Sequence, residues 1–393
     1  MIPVRLLLNI PNLDRDPTQH SARRRLSAQP YSLQSIASLN PLVRQKAEAL
    51  ATGLISDAKQ SPMKSVDAFE LCSRYSLEVI CSAAFATDLP SKADNNQTAL
   101  LMHAMDESAK TLPLTAIMPW LRSTGLGRRL PGPVGEPFRQ MLYWEEQSRK
   151  MVDHLIKAMP SGAESNKNNL LAPLLNGVDS FFGRKLTNDE LVEEAMGIMF
   201  AGSGTTSTTL TYLLYALSCP ENVVVQEILR KEVLDLPVGD TLALRNCLYV
   251  NAVIKETFRL YPTIISTLPR IVNEPFQVGS IVLPPGTVVG MQNYVHHRDS
   301  DIFPQPLAFR PERWLKSTKE MELSLTPFSL GKRNCIGQNL AWEELYLAVD
   351  AVMRGGYSFQ LGKEMKSGEM EMEDRFNIAP SGRRLMLEVT PIS

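Results

Sequence analysis

The segment Phe328-Ser-Leu-Gly-Lys-Arg-Asn-Cys-Ile-Gly337 sets a cysteine directly ahead of an apolar helical run, Leu340-Ala341-Trp342 to Leu345. A helix start presents unsatisfied N–H groups and the positive end of the helix dipole, and both favour a thiolate over a thiol. Cys335 is therefore a candidate metal ligand. The pattern F-x-x-G-x-R-x-C-x-G fixes five positions, which chance alone would supply in about one chain of this length in ten thousand. The other four cysteines (Cys72, Cys81, Cys219 and Cys247) are widely spread, with no C-x-x-C pair. That excludes the usual zinc and dithiol spacings and leaves them as small buried hydrophobes.

Two further constellations carry polar chemistry inside apolar surroundings. Ala201-Gly-Ser-Gly-Thr-Thr206 lies in the longest uncharged stretch, 195–220, which is too polar in its middle for lipid and reads as a long helix buried within protein. Glu256 and Arg259 stand three residues apart, on one face of a helix over 251–260. Arg313 follows in Phe309-Arg-Pro-Glu-Arg-Trp314.

The elements that must position these residues are mostly helical. From Arg23 to Ala201 the apolar spacing (Leu42, Val43, Ala47 and Leu50, then Leu71, Cys72, Tyr75 and Val79) is that of helix faces. Polar or Pro/Gly clusters at 61–62, 88–95, 128–133 and 160–169 separate them. Helices are expected over 221–236 and 250–260, β-like runs over 276–282 and 287–291, and a final helix over 338–353. The fold class is mainly α with a minor β part. The reading is one domain over 1–393: a helical body at 16–262, a β-containing meander at 263–327, the cysteine loop and last helix at 328–354, and a C-terminal β hairpin region at 355–393. With 41 Lys+Arg against 42 Asp+Glu among 393 residues, no basic excess points to nucleic acid. The apolar patch at 1–10 is far shorter than the ~20 residues of a membrane span, and no transmembrane segment is expected.

The cysteine loop resembles the haem-binding loop of the cytochromes P-450, and the resemblance runs from about 16 to 391. It implies haem b with Cys335 as axial iron ligand, a thiolate whose electron push favours O–O cleavage. It also implies Gly331 in the tight turn, Gly337 where backbone approaches the macrocycle, Arg333 on a haem propionate and Phe328 shielding the sulfur. Thr205, with Thr206, matches the distal-helix threonine that hydrogen-bonds dioxygen and helps deliver protons, whereas Gly204 stands where the family has an acid. His20 and Arg24 match the helix facing the haem edge, Arg270 a further propionate arginine, and Glu256, Arg259 and Arg313 a buried network behind the haem.

The activity implied is insertion of one oxygen atom from dioxygen into a small apolar substrate, most like fungal microsomal members, in secondary metabolism or detoxification. Electrons would come from NADPH through a separate NADPH–cytochrome P-450 reductase, because no flavin or nicotinamide fingerprint is present. The alternatives are a haem-thiolate isomerase or dehydratase needing no reductase, and an inactive haem-binding remnant. The resemblance further implies an N-terminal truncation that removes the anchor and first sheet, with membrane association and a place on the cytosolic face of the endoplasmic reticulum for the full-length form only.

Overall fold

The computed structural model describes residues 16–89, 97–158 and 169–392. The apolar patch at 1–10, and most of the separators at 88–95 and 160–169, lie outside them. The helical body comprises α1 (Pro17–Ser27), α2 (Asn40–Gln60), α3 (Ala68–Phe85), α4 (Gln97–Ala109), α5 (Gly132–Ala158), α6 (Asn188–Ser218), α7 (Val223–Leu234) and α8 (Leu248–Leu260). The last helix is α9 (Gln338–Arg354). Start signals are local. Asp16 accepts from the N–H groups of Thr18 and Gln19 with Pro17 opening α1, and Thr187 and Glu190 close a reciprocal capping box at the head of α6.

The uncharged stretch becomes the buried axis of the molecule. α6 is 31 residues long, and its apolar side chains join those of α2, α3, α5, α8 and α9 in one core. Serine and threonine hydroxyls are tolerated there because they return to the carbonyl four residues back, as Ser203 does to Met199 and Thr211 to Ser207. Among the described residues, no helix is long and apolar enough to cross a membrane.

The β part is richer than the sequence reading. The tripeptide Ser65–Asp67 (β1), just past the separator at 61–62, was not expected as a strand, yet it pairs with β9 (Met386–Pro391), which also pairs β6 (Tyr357–Leu361), all antiparallel. The run expected over 276–282 is not one strand. It is a hairpin of β3 (Phe276–Val278) and β4 (Ile281–Leu283), because Gly279 takes a left-handed φ of 59°. β2 (Arg270–Ile271) pairs with β5 (Val288–Val289). The C-terminal region holds β6 and β9 as well as a hairpin of β7 (Met372–Arg375) and β8 (Asn377–Pro380), with Phe376 at the turn.

Candidate active site

Cys335 is held by backbone before any ligand is considered. Its N–H donates to the carbonyl of Phe328 at 2.8 Å, closing the loop on itself, and Gly331 takes a φ of 73° that a side chain would strain. Burial pushes the Cys335 thiol up, and the N–H of Gly337, which caps α9, hydrogen-bonds the sulfur and offsets part of that rise. Cys335 is nevertheless the one exposed cysteine among the five. Its sulfur is thus weighed on by surrounding protein and yet reachable from outside. Phe328 packs edge-on to Phe258 of α8 at 5.2 Å and tilts against Trp342 of α9 at 6.4 Å, which fixes the loop's apolar side.

Positive charge gathers beside Cys335. Arg24 donates to the backbone carbonyl of Asn334 at 2.7 Å and to its side-chain oxygen at 2.6 Å, tying α1 to the residue before Cys335. His20, one turn earlier, is buried with Nε2 lacking a partner among the described residues. Burial first, then the charges of Arg333 and Arg24, bring its pKa down to about 4, so it is neutral at pH 7. Arg270 is exposed on β2 and donates to the carbonyls of Leu268 and Pro269. Arg23, beside Arg24 in sequence, is committed elsewhere, to Asp179 at 2.8 Å and Glu194 at 2.5 Å.

On α6 the burial is interrupted where the threonine motif lies: Ala201 is exposed and Gly202, Gly204 and Thr205 are half-buried, whereas Thr206 to Tyr212 are buried. The Thr205 hydroxyl donates to the Ala201 carbonyl at 2.9 Å. Behind this stretch, Ser76 of α3 lies 3.0 Å from the Gly202 carbonyl and 3.1 Å from the Glu344 carboxyl. Glu344 is six residues into α9, about 9 Å along the helix, so this bridge brings the thiolate loop and the bared part of α6 to one region of the molecule. Burial drives the Glu344 carboxyl far above the usual carboxylate range, so it is protonated.

The charged network is centred on α8, whose Phe258 packs against Phe328 of the loop. Arg259 grips Glu256 with Nε and a terminal nitrogen at 2.9 and 2.8 Å, and both side chains are 0% exposed. Arg313 Nε and Trp314 Nε1 add bonds to the same carboxylate at 3.1 and 2.9 Å. Arg259 also reaches the carbonyls of His297, Pro306 and Ala308. Sequence reasoning missed His297, whose imidazole is buried and accepts from the Thr326 N–H at 3.1 Å. It also missed Glu344, although two adjacent acids in an apolar helix, Glu343 and Glu344, were a legible warning that a carboxyl is buried.

The residues fit a haem. The loop offers a single sulfur donor, no group of three or more His, Cys, Asp or Glu among the described residues could hold a metal unaided, and the space beside Gly331 is open. Arg24 and Arg333 supply the positive potential that two carboxylates on the ligand's edge require, and neutral His20 can donate an N–H to one of them.

The family model described as Cytochrome P450 matches residues 9–383. Similar proteins include cytochrome P450 monooxygenase orf2 of Aspergillus niger, 30% identical over 95% of this chain and 75% of that protein. Another, azaI of the same species, is 29% identical over 95% of this chain and 83% of that protein. Cytochrome P450 3A12 of Canis lupus familiaris is 28% identical over 92% of this chain and 72% of that protein. Among solved structures, the retinoic acid bound cyanobacterial CYP120A1 superposes with a TM-score of 0.74 at 19% identity, covering 95% of this chain and 79% of that one, and shares the fold. An exposed cysteine at the head of a helix and a match spanning nearly every described residue have one explanation: this chain belongs to the cytochrome P450 family, the haem-dependent monooxygenases.

Proposed function

We propose that the protein inserts one oxygen atom of dioxygen into a small apolar substrate in fungal secondary metabolism, using electrons that reach it from NADPH through a separate flavoprotein reductase at the endoplasmic reticulum. The observation that carries this is Cys335, exposed at the head of α9 and hydrogen-bonded by the N–H of Gly337. When bound, haem supplies the redox chemistry, and a thiolate on its proximal side favours O–O cleavage.

The chain's own residues do the rest. Cys335 would ligate the iron, Gly337 would temper its thiolate by hydrogen bonding, and Phe328 would exclude water from the sulfur. Arg333, Arg24, His20 and Arg270 would orient the haem edge through its carboxylates. Thr205 keeps oxygen lone pairs free while donating to Ala201, so it can accept a hydrogen bond beside the reacting oxygen. Exposed Ile271, Val288 and Met291, near Arg270 in sequence or strand pairing, and the contacting rings of Phe200 and Phe376 at 5.9 Å favour an apolar substrate.

Gly204 favours a second reading, an isomerase or dehydratase that needs no reductase, since it removes the acid from the distal helix. Turnover of a candidate fungal metabolite, with and without NADPH and reductase, separates the two. The proposal expects product only with both, and product formed from substrate and enzyme alone would overturn it.

A further inference from the structure

The face of α6 that carries Gly204 also carries Thr208 and Tyr212, at successive intervals of four. β8 runs along it: the Thr208 hydroxyl donates to the Ile378 carbonyl at 3.0 Å, and the Ile378 N–H donates to Thr263 at 2.8 Å. β8 is thus pinned at Ile378, and the residue before it, Asn377, is brought onto Gly204. A Cβ built on Gly204 would stand 2.2 Å from Asn377 Nδ2 and 3.4 Å from Cγ. The amide occupies the volume in which a side chain at 204 would begin.

The same amide is unfinished as a hydrogen-bonding group. Asn377 Oδ1 is buried and has no partner among the described residues. Its orientation is imposed from both sides, since Asn377 pairs across the hairpin with Arg375 and follows Phe376, whose φ of 83° makes the turn. Whichever way the amide's oxygen and nitrogen are assigned, one end abuts Gly204 and the group offers both a donor and an acceptor. A buried carbonyl oxygen without a donor is costly, and a bridging water is the natural partner in a polar site.

We propose that Asn377 takes the place of the acid absent at Gly204, as a positioning residue whose carboxamide holds the water that works with Thr205. This rests on the reading of the site as an oxygen-activating haem pocket. The amide keeps its own protons: protons enter from solvent, pass along the water it orders, and reach the Thr205 side of the pocket. Gly204 and Asn377 are then alternatives, and either an acid on the helix or an amide on the hairpin fills that volume.

The test uses the haem-loaded full chain and its haem-free form, with Asn377→Ala, Asn377→Asp, Gly204→Asp and the double variant Gly204→Asp/Asn377→Ala. In the haem-free protein, Gly204→Asp should lower the thermal midpoint by about 2–4 °C, and the loss should vanish when Asn377 is already alanine. In the loaded protein, with reductase, NADPH and 7-ethoxycoumarin as apolar probe, Asn377→Ala should raise peroxide released per NADPH on the order of tenfold. Asn377→Asp should stay within about twofold of wild type, and the double variant should recover. Should Asn377→Ala fail to fold, Asn377→Ser removes the amide with a smaller void. Additive midpoints, an unchanged peroxide ratio in Asn377→Ala, or a double variant as uncoupled as that single one would each overturn the inference. Loss of the thiolate carbon monoxide band in the wild type would instead overturn the haem reading, and this inference with it.

Discussion

Replacing Glu256 by glutamine removes one charge from the most thoroughly bonded carboxylate in the molecule while preserving its shape. Arg259 would then keep a full charge at 0% exposure, facing no anion but one amide oxygen and the carbonyls of His297, Pro306 and Ala308. The amide –NH₂ also replaces one carboxylate oxygen and must confront its donors: Trp314 Nε1 at 2.9 Å on one side, or the Arg310 N–H at 2.8 Å on the other. Breaking a buried pair by removing one partner costs about 3–5 kcal/mol, a large share of the ~5–15 kcal/mol that holds a typical domain. The pair as a whole is worth less than this. A double variant, Glu256→Gln with Arg259→Met, should recover part of the loss, limited by the three carbonyls that Arg259 leaves behind. Urea unfolding of both variants and the wild type gives the comparison directly. A single variant within about 1 kcal/mol of wild type, the value of a surface pair, would refute the claim that this network is desolvated and load-sharing.

His297 is held neutral, its pKa brought down to about 3 by burial first, then by His296, Arg259 and Arg298. A depressed histidine contributes stability that is whole above its unfolded value near 6.5 and is lost as pH falls towards the folded value. The loss should reach about 2 kcal/mol at pH 5, and His297→Gln should flatten that acid arm in pH-dependent unfolding. Glu344 shifts the opposite way: its raised carboxyl gives stability present below the unfolded carboxylate value and lost as pH rises. Glu344→Gln should therefore match wild type near pH 4.5 and exceed it at pH 8, and a gap that fails to widen contradicts a protonated Glu344. Thr205→Ala should divert electrons from NADPH into peroxide, measured as peroxide per NADPH, with full retention of coupling placing the role elsewhere.

The cysteine loop was legible because its chemistry needs fixed spacing along a few consecutive residues, and the helical body because its apolar faces repeat at the helical period. α6 could be read as buried protein helix from its hydroxyls alone. β1 could not, since three residues are too few to alternate, and the hairpin of β3 and β4 was hidden because Gly279 and Ser280 fall inside one apolar run. Partners distant in sequence left no local mark. The Thr208 to Ile378 contact joins residues 170 apart, so nothing near Gly204 announced that Asn377 would cover it. Arg24 was expected to face the haem edge, and its guanidinium donates to Asn334, a residue of the loop itself.

The central claim is that Cys335, exposed at the head of α9, ligates haem iron as a thiolate. The most direct measurement is the difference spectrum of the dithionite-reduced protein with and without carbon monoxide, for wild type and Cys335→Ala. The account predicts a strongly red-shifted Soret band in the wild type and its loss in the variant. A red-shifted band that survives in Cys335→Ala, or a wild type that binds haem without it, would contradict the account.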